Sequence, residues 1–293
     1  MYRESSYSMI LKAPSGKEVN LSIINIEDLK PHENTISELL SSLITDIHTS
    51  ATQKDPILVD SDSHIVLDGM HRLEALRSVG ARFIVCAEYN YLDSSVRLER
   101  WLRRIDERGE LALKILTGIF NLKPCASQRD AVAQVNSDKG KVAVLTGSGA
   151  LISSESLEKL EAYSRMARFD KICMLEGLKV AFASESSVFD HLKSSSSLIV
   201  YPPMLTKSEI LEIAKSRKLL PWKTTRHIVP LRVLGIEFPV EILKKNDEIG
   251  KIQESLSSTL QGRDIEFRLP NTIYEGREYP EPLAIFRPKK RIC

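Results

Sequence analysis

Short apolar runs separated by clear breaks mark the first third of the chain. Residues 21–26 (LSIINI) predict a strand, closed by the break Lys30-Pro31-His32-Glu33. Ile36, Leu39, Leu40, Leu43, Ile44 and Ile47 then recur at the three- and four-residue spacing of an amphipathic helix. Two β-rich runs, Pro56–Val59 and His64–Leu67, flank the turn-forming Asp60-Ser61-Asp62-Ser63 and predict a hairpin. The second run leads directly into Asp68-Gly69-Met70-His71-Arg72, followed by a helix that carries Leu73, Leu76 and Val79 and stops at Gly80. A third strand is expected from Phe83 to Glu88.

The stretch from about 103 to 140 is charged and helical in pattern, with an interruption at Lys123-Pro124-Cys125. Beyond it the pattern predicts a strand at Lys141–Leu145, a helix over 155–168, and strands at Ile172–Leu175 and Leu198–Tyr201, the last after a flexible run Ser194–Ser197. Thr146-Gly147-Ser148-Gly149 reads as a hairpin turn. Thr206-Lys207-Ser208-Glu209 has the form of a capping box opening a helix through about Leu219. One more helical pattern begins near 250, followed by a Pro-rich tail with Arg287, Lys289, Lys290 and Arg291. No internal repeat is visible. The expected fold is mixed α/β (α+β), with an N-terminal domain over 1–105 and a C-terminal domain over 106–293 that carries a tail extension from about 245.

Composition narrows the function classes. The 293 residues contain 41 Lys+Arg and 39 Asp+Glu, a net charge of +2, which argues against a general polyanion binder. With 42% hydrophobic and 27% charged residues, the chain has the make-up of a globular protein with a substantial core. Cys86, Cys125, Cys173 and Cys293 stand singly, so neither a disulfide scaffold nor a structural zinc site is expected. No segment has the apolar length of a signal peptide or a membrane span, and a cytoplasmic location is expected.

Three clusters are candidates for chemistry. Asp68-Gly69-Met70-His71-Arg72 stands where a strand ends and a helix begins, a place suited to phosphate, with His71 and Arg72 beside it and Asp68 able to hold Mg²⁺. The same residues also suit a tight turn whose Asp caps the helix and whose Arg makes a surface ion pair. His32-Glu33 opens the amphipathic helix, where a carboxylate suits the helix dipole and can also act as a general base. Lys223-Thr224-Thr225-Arg226-His227 gathers five donors, suited to an amino acid or phosphoryl group, or to a basic surface loop.

Taken in order, the Lys-Pro-His-Glu segment, the Pro-Ile-Leu-Val strand, the strand ending in Asp68-Gly69-x-His71-Arg72 and the later Lys-Thr-Thr-Arg-His segment resemble the free L-serine kinases of the ParB/sulfiredoxin-like superfamily. The resemblance runs from about residue 21 to 244. It implies a nucleotide-binding N-terminal domain and transfer of phosphoryl from ADP or ATP to free L-serine, with Mg²⁺. By the same resemblance Glu33 would be the base and Asp68 the metal and phosphate residue. Gly69, Met70, His71 and Arg72 would take the nucleotide, and Thr224, Thr225, Arg226, His227 and Trp101 the amino acid; Glu38 ranks last as a second carboxylate. Met70 stands where sulfiredoxins carry a cysteine, which excludes their sulfinic-acid chemistry. Two alternatives remain at this stage: a ParB-like nucleotide-switched DNA-binding regulator, which predicts a helix-turn-helix after the first domain, and a kinase of another hydroxylated metabolite. No membrane partner is expected, nor nucleic acid under the kinase reading.

Overall fold

Strand β2 (Glu18–Asn25) pairs antiparallel with β1 (Met9–Lys12) on one side and with β6 (Phe83–Tyr89) on the other. Between them in sequence lie helix α1 (Ser37–Ser50), the short β3 (Thr52–Gln53), the hairpin β4 (Ile57–Asp60) and β5 (Val66–Asp68), and helix α2 (Met70–Ser78). β4 runs parallel to β6, giving a five-stranded sheet of order β1-β2-β6-β4-β5. Ile57, Leu58, Val59, Ile84, Val85, Leu73 and Leu76 are all buried, so the strands are covered as their continuous apolar runs predict. The apolar stripe of α1 is less covered: Ile47 is buried, Leu39 is exposed, and Leu40, Leu43 and Ile44 are intermediate.

The computed structural model describes residues 9–13, 15–138, 140–188, 192 and 197–289. Ser194–Ser196 of the expected flexible run, His191, Lys290, Arg291 and Cys293 lie outside the described residues. The chain divides into two units: one comprises the residues up to Arg97, Ala214–Lys218 and everything from His227, and the other Leu98–Ile213 and Leu219–Arg226.

The second unit begins within β7 (Arg97–Arg100) and continues through β8 (Leu102–Ile105), α3 (Gly109–Phe120), β9 (Leu122–Cys125), α4 (Gln128–Ser137), β10 (Ala143–Thr146), β11 (Gly149–Ser153), α5 (Lys159–Leu175), β12 (Ala181–Ala183), β13 (Leu198–Tyr201) and all but the last two residues of α6 (Lys207–Lys215). Its six-stranded sheet has the order β12-β8-β13-β10-β11-β9, with antiparallel pairing throughout. Side chains alternate between faces: Val144, Leu198 and Val200 join Leu116, Phe120, Met166 and Phe169, whereas Leu145, Ile199 and Tyr201 join Ala131 and Val135. Helices therefore cover both faces.

Ile172–Leu175, expected as a strand, forms the last turn of α5. The buried positions Ala162, Met166, Phe169 and Cys173 follow a helical period that continues through this short apolar run. The capping box is formed: Thr206 Oγ1 accepts from Glu209 N–H at 3.2 Å, and Glu209 Oε2 accepts from Thr206 N–H at 2.7 Å. Its helix ends at Lys215, short of Leu219. Strand β9 lies at one edge of the sheet, between α3 and α4 in sequence, so the helical stretch offers no helix-turn-helix there.

The last part of the chain, from β14 (Thr225–Ile228) through β15 (Arg232–Leu234), β16 (Phe238–Pro239), α7 (Val240–Leu243), α8 (Ile249–Gln261), β17 (Arg263–Arg268), β18 (Thr272–Tyr274), β19 (Arg277–Tyr279) and β20 (Leu283–Pro288), belongs to the first unit from His227 onward. β15, β20 and β17 form a three-stranded sheet, and β18 and β19 a hairpin. The expected boundary lies at 105/106 with a tail extension from about 245, whereas the two units divide at 97/98 and the residues from His227 belong to the first. Two glutamines show why sequence alone did not reveal this. Among the described residues β1 pairs with β2 as far as Leu21, and Gln253 of α8 accepts from Ile23 N–H at 2.8 Å and donates to Leu21 O at 3.2 Å. Gln53 bonds β6 in the same way, donating to Val85 O and accepting from Val85 N–H, and also donates to Asp55 O. These bonds satisfy buried backbone groups that otherwise carry a desolvation cost, and Gln253 makes them across 230 positions of sequence, where no local pattern records them.

Candidate active site

The turn from β5 into α2 requires a glycine on two counts. Gly69 has φ +107°, and a Cβ placed there would lie 2.6 Å from Ile57 Cγ2. Because glycine offers no capping side chain, the first-turn N–H groups of α2 are not capped from that position, which leaves them suited to an anion.

Asp68, immediately before this turn, faces arginines brought from far along the chain. Arg232 Nη1 lies 2.6 Å from Asp68 Oδ2, and Arg277 Nη2 lies 3.8 Å from the same oxygen. Burial works against ionisation of Asp68, but Arg232, Arg277 and Arg72 outweigh it and hold the carboxyl well below the usual range. Arg232 is itself buried; it also pairs with the buried Glu281 and donates to His227 O at 3.2 Å. Arg72 donates to Pro56 O.

A second group surrounds Glu33, which is 8% exposed. His32 is fully buried, its Nδ1 is 2.7 Å from Val66 O, and its Nε2 lies 3.9 Å from Glu33 Oε1. Its ring meets that of His227 edge-on at 5.5 Å. Burial lowers the His32 pKa to about 4 and, together with the neighbouring His32, lowers that of His227 to about 3, so both rings are neutral near pH 7. Tyr91 Oη sits 3.0 Å from His227 Nε2, and Tyr91 N–H donates to Asp60 at 2.9 Å. Glu33 therefore has a neutral ring, not an imidazolium, on its His32 side.

In the second unit, Trp101, Phe182 and Trp222 form an aromatic group, with Phe182 edge-on to Trp101 at 6.5 Å and to Trp222 at 5.0 Å. Lys223 Nζ lies 4.3 Å from the Trp101 ring centre and the Arg226 guanidinium 4.8 Å from it. Arg226 also stands 3.6 Å from Glu99. Beneath them, the fully buried Arg103 donates to the carbonyls of Trp101 (3.1 Å), Trp222 (3.4 Å) and Lys223 (2.8 Å), and pairs with Asp170 at 3.0 Å. One side chain thus fixes the loop that carries the donor cluster.

No family model matches the chain. Among curated proteins it is 27% identical over 261 residues to an ATP-dependent L-serine kinase of Staphylothermus marinus, a match covering 80% of this chain and 98% of that one. It is 23% identical over 236 residues to the ADP-dependent L-serine kinase of Thermococcus kodakarensis, covering 78% and 94%. Among solved structures, a free serine kinase in complex with AMP superposes with a TM-score of 0.66 at 19% identity, covering 82% of this chain and 98% of that one. The chain is similar over most of its length to proteins named L-serine kinases, and it shares the fold of the free serine kinase.

The serine-kinase resemblance named its residues from motifs, and the structure places them in two groups. Glu33, Asp68, Gly69, Met70, His71, Arg72 and His227 belong to the first unit, and Trp101, Thr224, Thr225 and Arg226 to the second. Three of these residues also carry contacts within the fold. The Met70 side chain is 7% exposed and packs in the core, which leaves its backbone as the part available to a nucleotide. His71 Nε2 accepts the Ile36 N–H at 2.9 Å, so this nitrogen holds the start of α1 and is not a free cationic donor. Thr224 is buried and its hydroxyl donates to Pro221 O at 2.7 Å, closing a turn. Sequence reasoning passed over Arg103, Arg232, Arg277 and Glu281. Each stands outside any recognisable motif, and an isolated arginine carries no signal until the fold gives it a carboxylate.

Among the described residues, no three His, Cys, Asp or Glu side chains cluster as a metal site. A cation shared with substrate phosphates needs only one or two carboxylates. Asp68 meets that need: its carboxyl is held ionised, is partly exposed, and is bound to Arg232 through Oδ2.

Proposed function

We propose that the chain is a kinase of free L-serine, moving a phosphoryl group from ADP or ATP to the serine hydroxyl and releasing O-phospho-L-serine. The observation that carries this reading is the ionised Asp68 set among Arg232, Arg277 and Arg72 at the uncapped start of α2, in a chain related over almost their whole length to proteins named L-serine kinases. Phosphoryl transfer depends on positioning and on neutralising charge, and this turn offers both.

In this reading Glu33 accepts the hydroxyl proton, and the neutral His32 beside it leaves that carboxylate without a formal cation on that side. Asp68 is the residue that would hold Mg²⁺, which when bound would neutralise charge on the donor phosphates. Gly69, the first N–H groups of α2 and Arg72 receive the phosphates. An amino-acid-binding role for Trp101, Thr224, Thr225, Arg226 and His227 rests on the resemblance, with Arg226 the side chain among them whose planar guanidinium matches a carboxylate.

The test is ³¹P NMR of the protein with Mg²⁺ and L-serine, run in parallel with ADP, ATP and CTP. A phosphoserine resonance with ADP or ATP is expected, and the productive nucleotide identifies the donor. Nucleotide turnover or binding with no phosphorylated amino acid in any mixture would refute the assignment.

A further inference from the structure

The hairpin β18–β19 brings Arg277 to the candidate site from beyond residue 244, where the family resemblance ends. Its guanidinium lies 3.8 Å from Asp68 Oδ2 and 4.9 Å from the centre of the Tyr279 ring. The separation from Asp68 is that of an ion pair without a hydrogen bond. Among the described residues Arg277 donates no side-chain hydrogen bond, and its side chain is 48% exposed. Its two companions are already engaged. Arg232 is buried and spends its donors on Glu281, Asp68 and His227 O, and Arg72 gives one to Pro56 O. Of the three guanidiniums that face Asp68, Arg277 is thus the one whose N–H groups remain available beside the anion-suited start of α2.

We propose that Arg277 is a binding residue for the nucleotide's phosphates, contributed by the C-terminal extension; this rests on the kinase reading above. Asp68 holds the guanidinium in place by charge and Tyr279 by its ring face, while the N–H groups stay unspent, an arrangement suited to bidentate capture of phosphate oxygens. The extension also supplies Glu281, the partner that fixes the buried Arg232. One segment therefore positions one arginine and presents another.

Calorimetric titration of the full-length protein with ADP and with adenosine tests this, using wild type, Arg277→Ala and Arg277→Lys. Wild type should prefer ADP. Arg277→Ala should weaken ADP binding about tenfold or more, the scale of a lost charge-assisted hydrogen bond, with adenosine binding changed less than about twofold and the lysine variant intermediate. ADP affinity unchanged in Arg277→Ala, or ADP and adenosine weakened alike, would overturn the proposal. A wild type that neither prefers ADP nor forms phosphoserine would instead refute the kinase reading, and this proposal with it.

Discussion

Arg232 Nη1 and Asp68 Oδ2 meet at 2.6 Å across 164 positions of sequence. Asp68→Asn removes the charge that Arg232, with Glu281 on its other side, is arranged to share, and leaves a buried guanidinium partly uncompensated. We expect serine phosphorylation to be lost and stability to fall by about 2 kcal/mol, read from the urea midpoint. Because the folded-state pKa of Asp68 is depressed, this contribution is full above the ordinary carboxylate pKa of about 3.9 and is lost as pH falls below it.

Glu33→Gln keeps the shape of the side chain and removes its basicity. Nucleotide binding and the unfolding temperature should stay near wild type while phosphoserine formation drops at least about 100-fold, the lower range for general-base catalysis. Normal turnover in the ³¹P assay would remove Glu33 from that role.

The paired rings of His32 and His227 make a pH prediction. Both resist protonation in the folded state, with pKa values near 4 and 3, whereas an unfolded histidine titrates near 6.5. Below about 6.5 the unfolded chain therefore binds more protons, and stability, full above that pH, declines as pH falls toward 4. At pH 5 the loss should be on the order of 2 kcal/mol per ring. Urea unfolding at pH 7.5, 6 and 5 measures it, and His227→Gln should flatten the dependence. A wild-type curve flat from pH 7.5 to 5 would show that the rings are not held neutral.

Gln253→Leu tests the tie between α8 and β2. It leaves Ile23 N–H and Leu21 O without that partner, at a cost of about 2–3 kcal/mol. The denaturation midpoint should fall with an unchanged slope. Gln253→Glu should recover part of the loss, since it keeps the acceptor for Ile23.

Features written in neighbouring residues were legible from the sequence: the α1 stripe, the Gly69 turn, the Thr206–Glu209 capping box and the strand Leu198–Tyr201, whose bounds the structure reproduces. Each depends on contacts a few positions apart. What escaped depends on distance. Arg232, Arg277 and Glu281 acquire meaning only when the later strands return to Asp68, and Gln253 only when it meets β2. The quartet Ile172–Leu175 misled because a short apolar run reads as strand or helix alike, while its place in a helical period, set by Met166, Phe169 and Cys173, makes it helix. The bond by which His71 Nε2 accepts the Ile36 N–H likewise joins residues 35 positions apart.

The passage of the chain out of the first unit at Arg97 and back for good at His227 bears on how the protein is made. On the ribosome, β1 to β6 emerge early and can pair, yet Arg232 for Asp68 and Gln253 for β2 are synthesised much later. At about 5–20 residues per second, the nascent sheet waits on the order of ten seconds or more with these groups unmet. A fragment stopped at residue 105 would remain in that waiting condition permanently, so soluble expression should demand the uninterrupted chain.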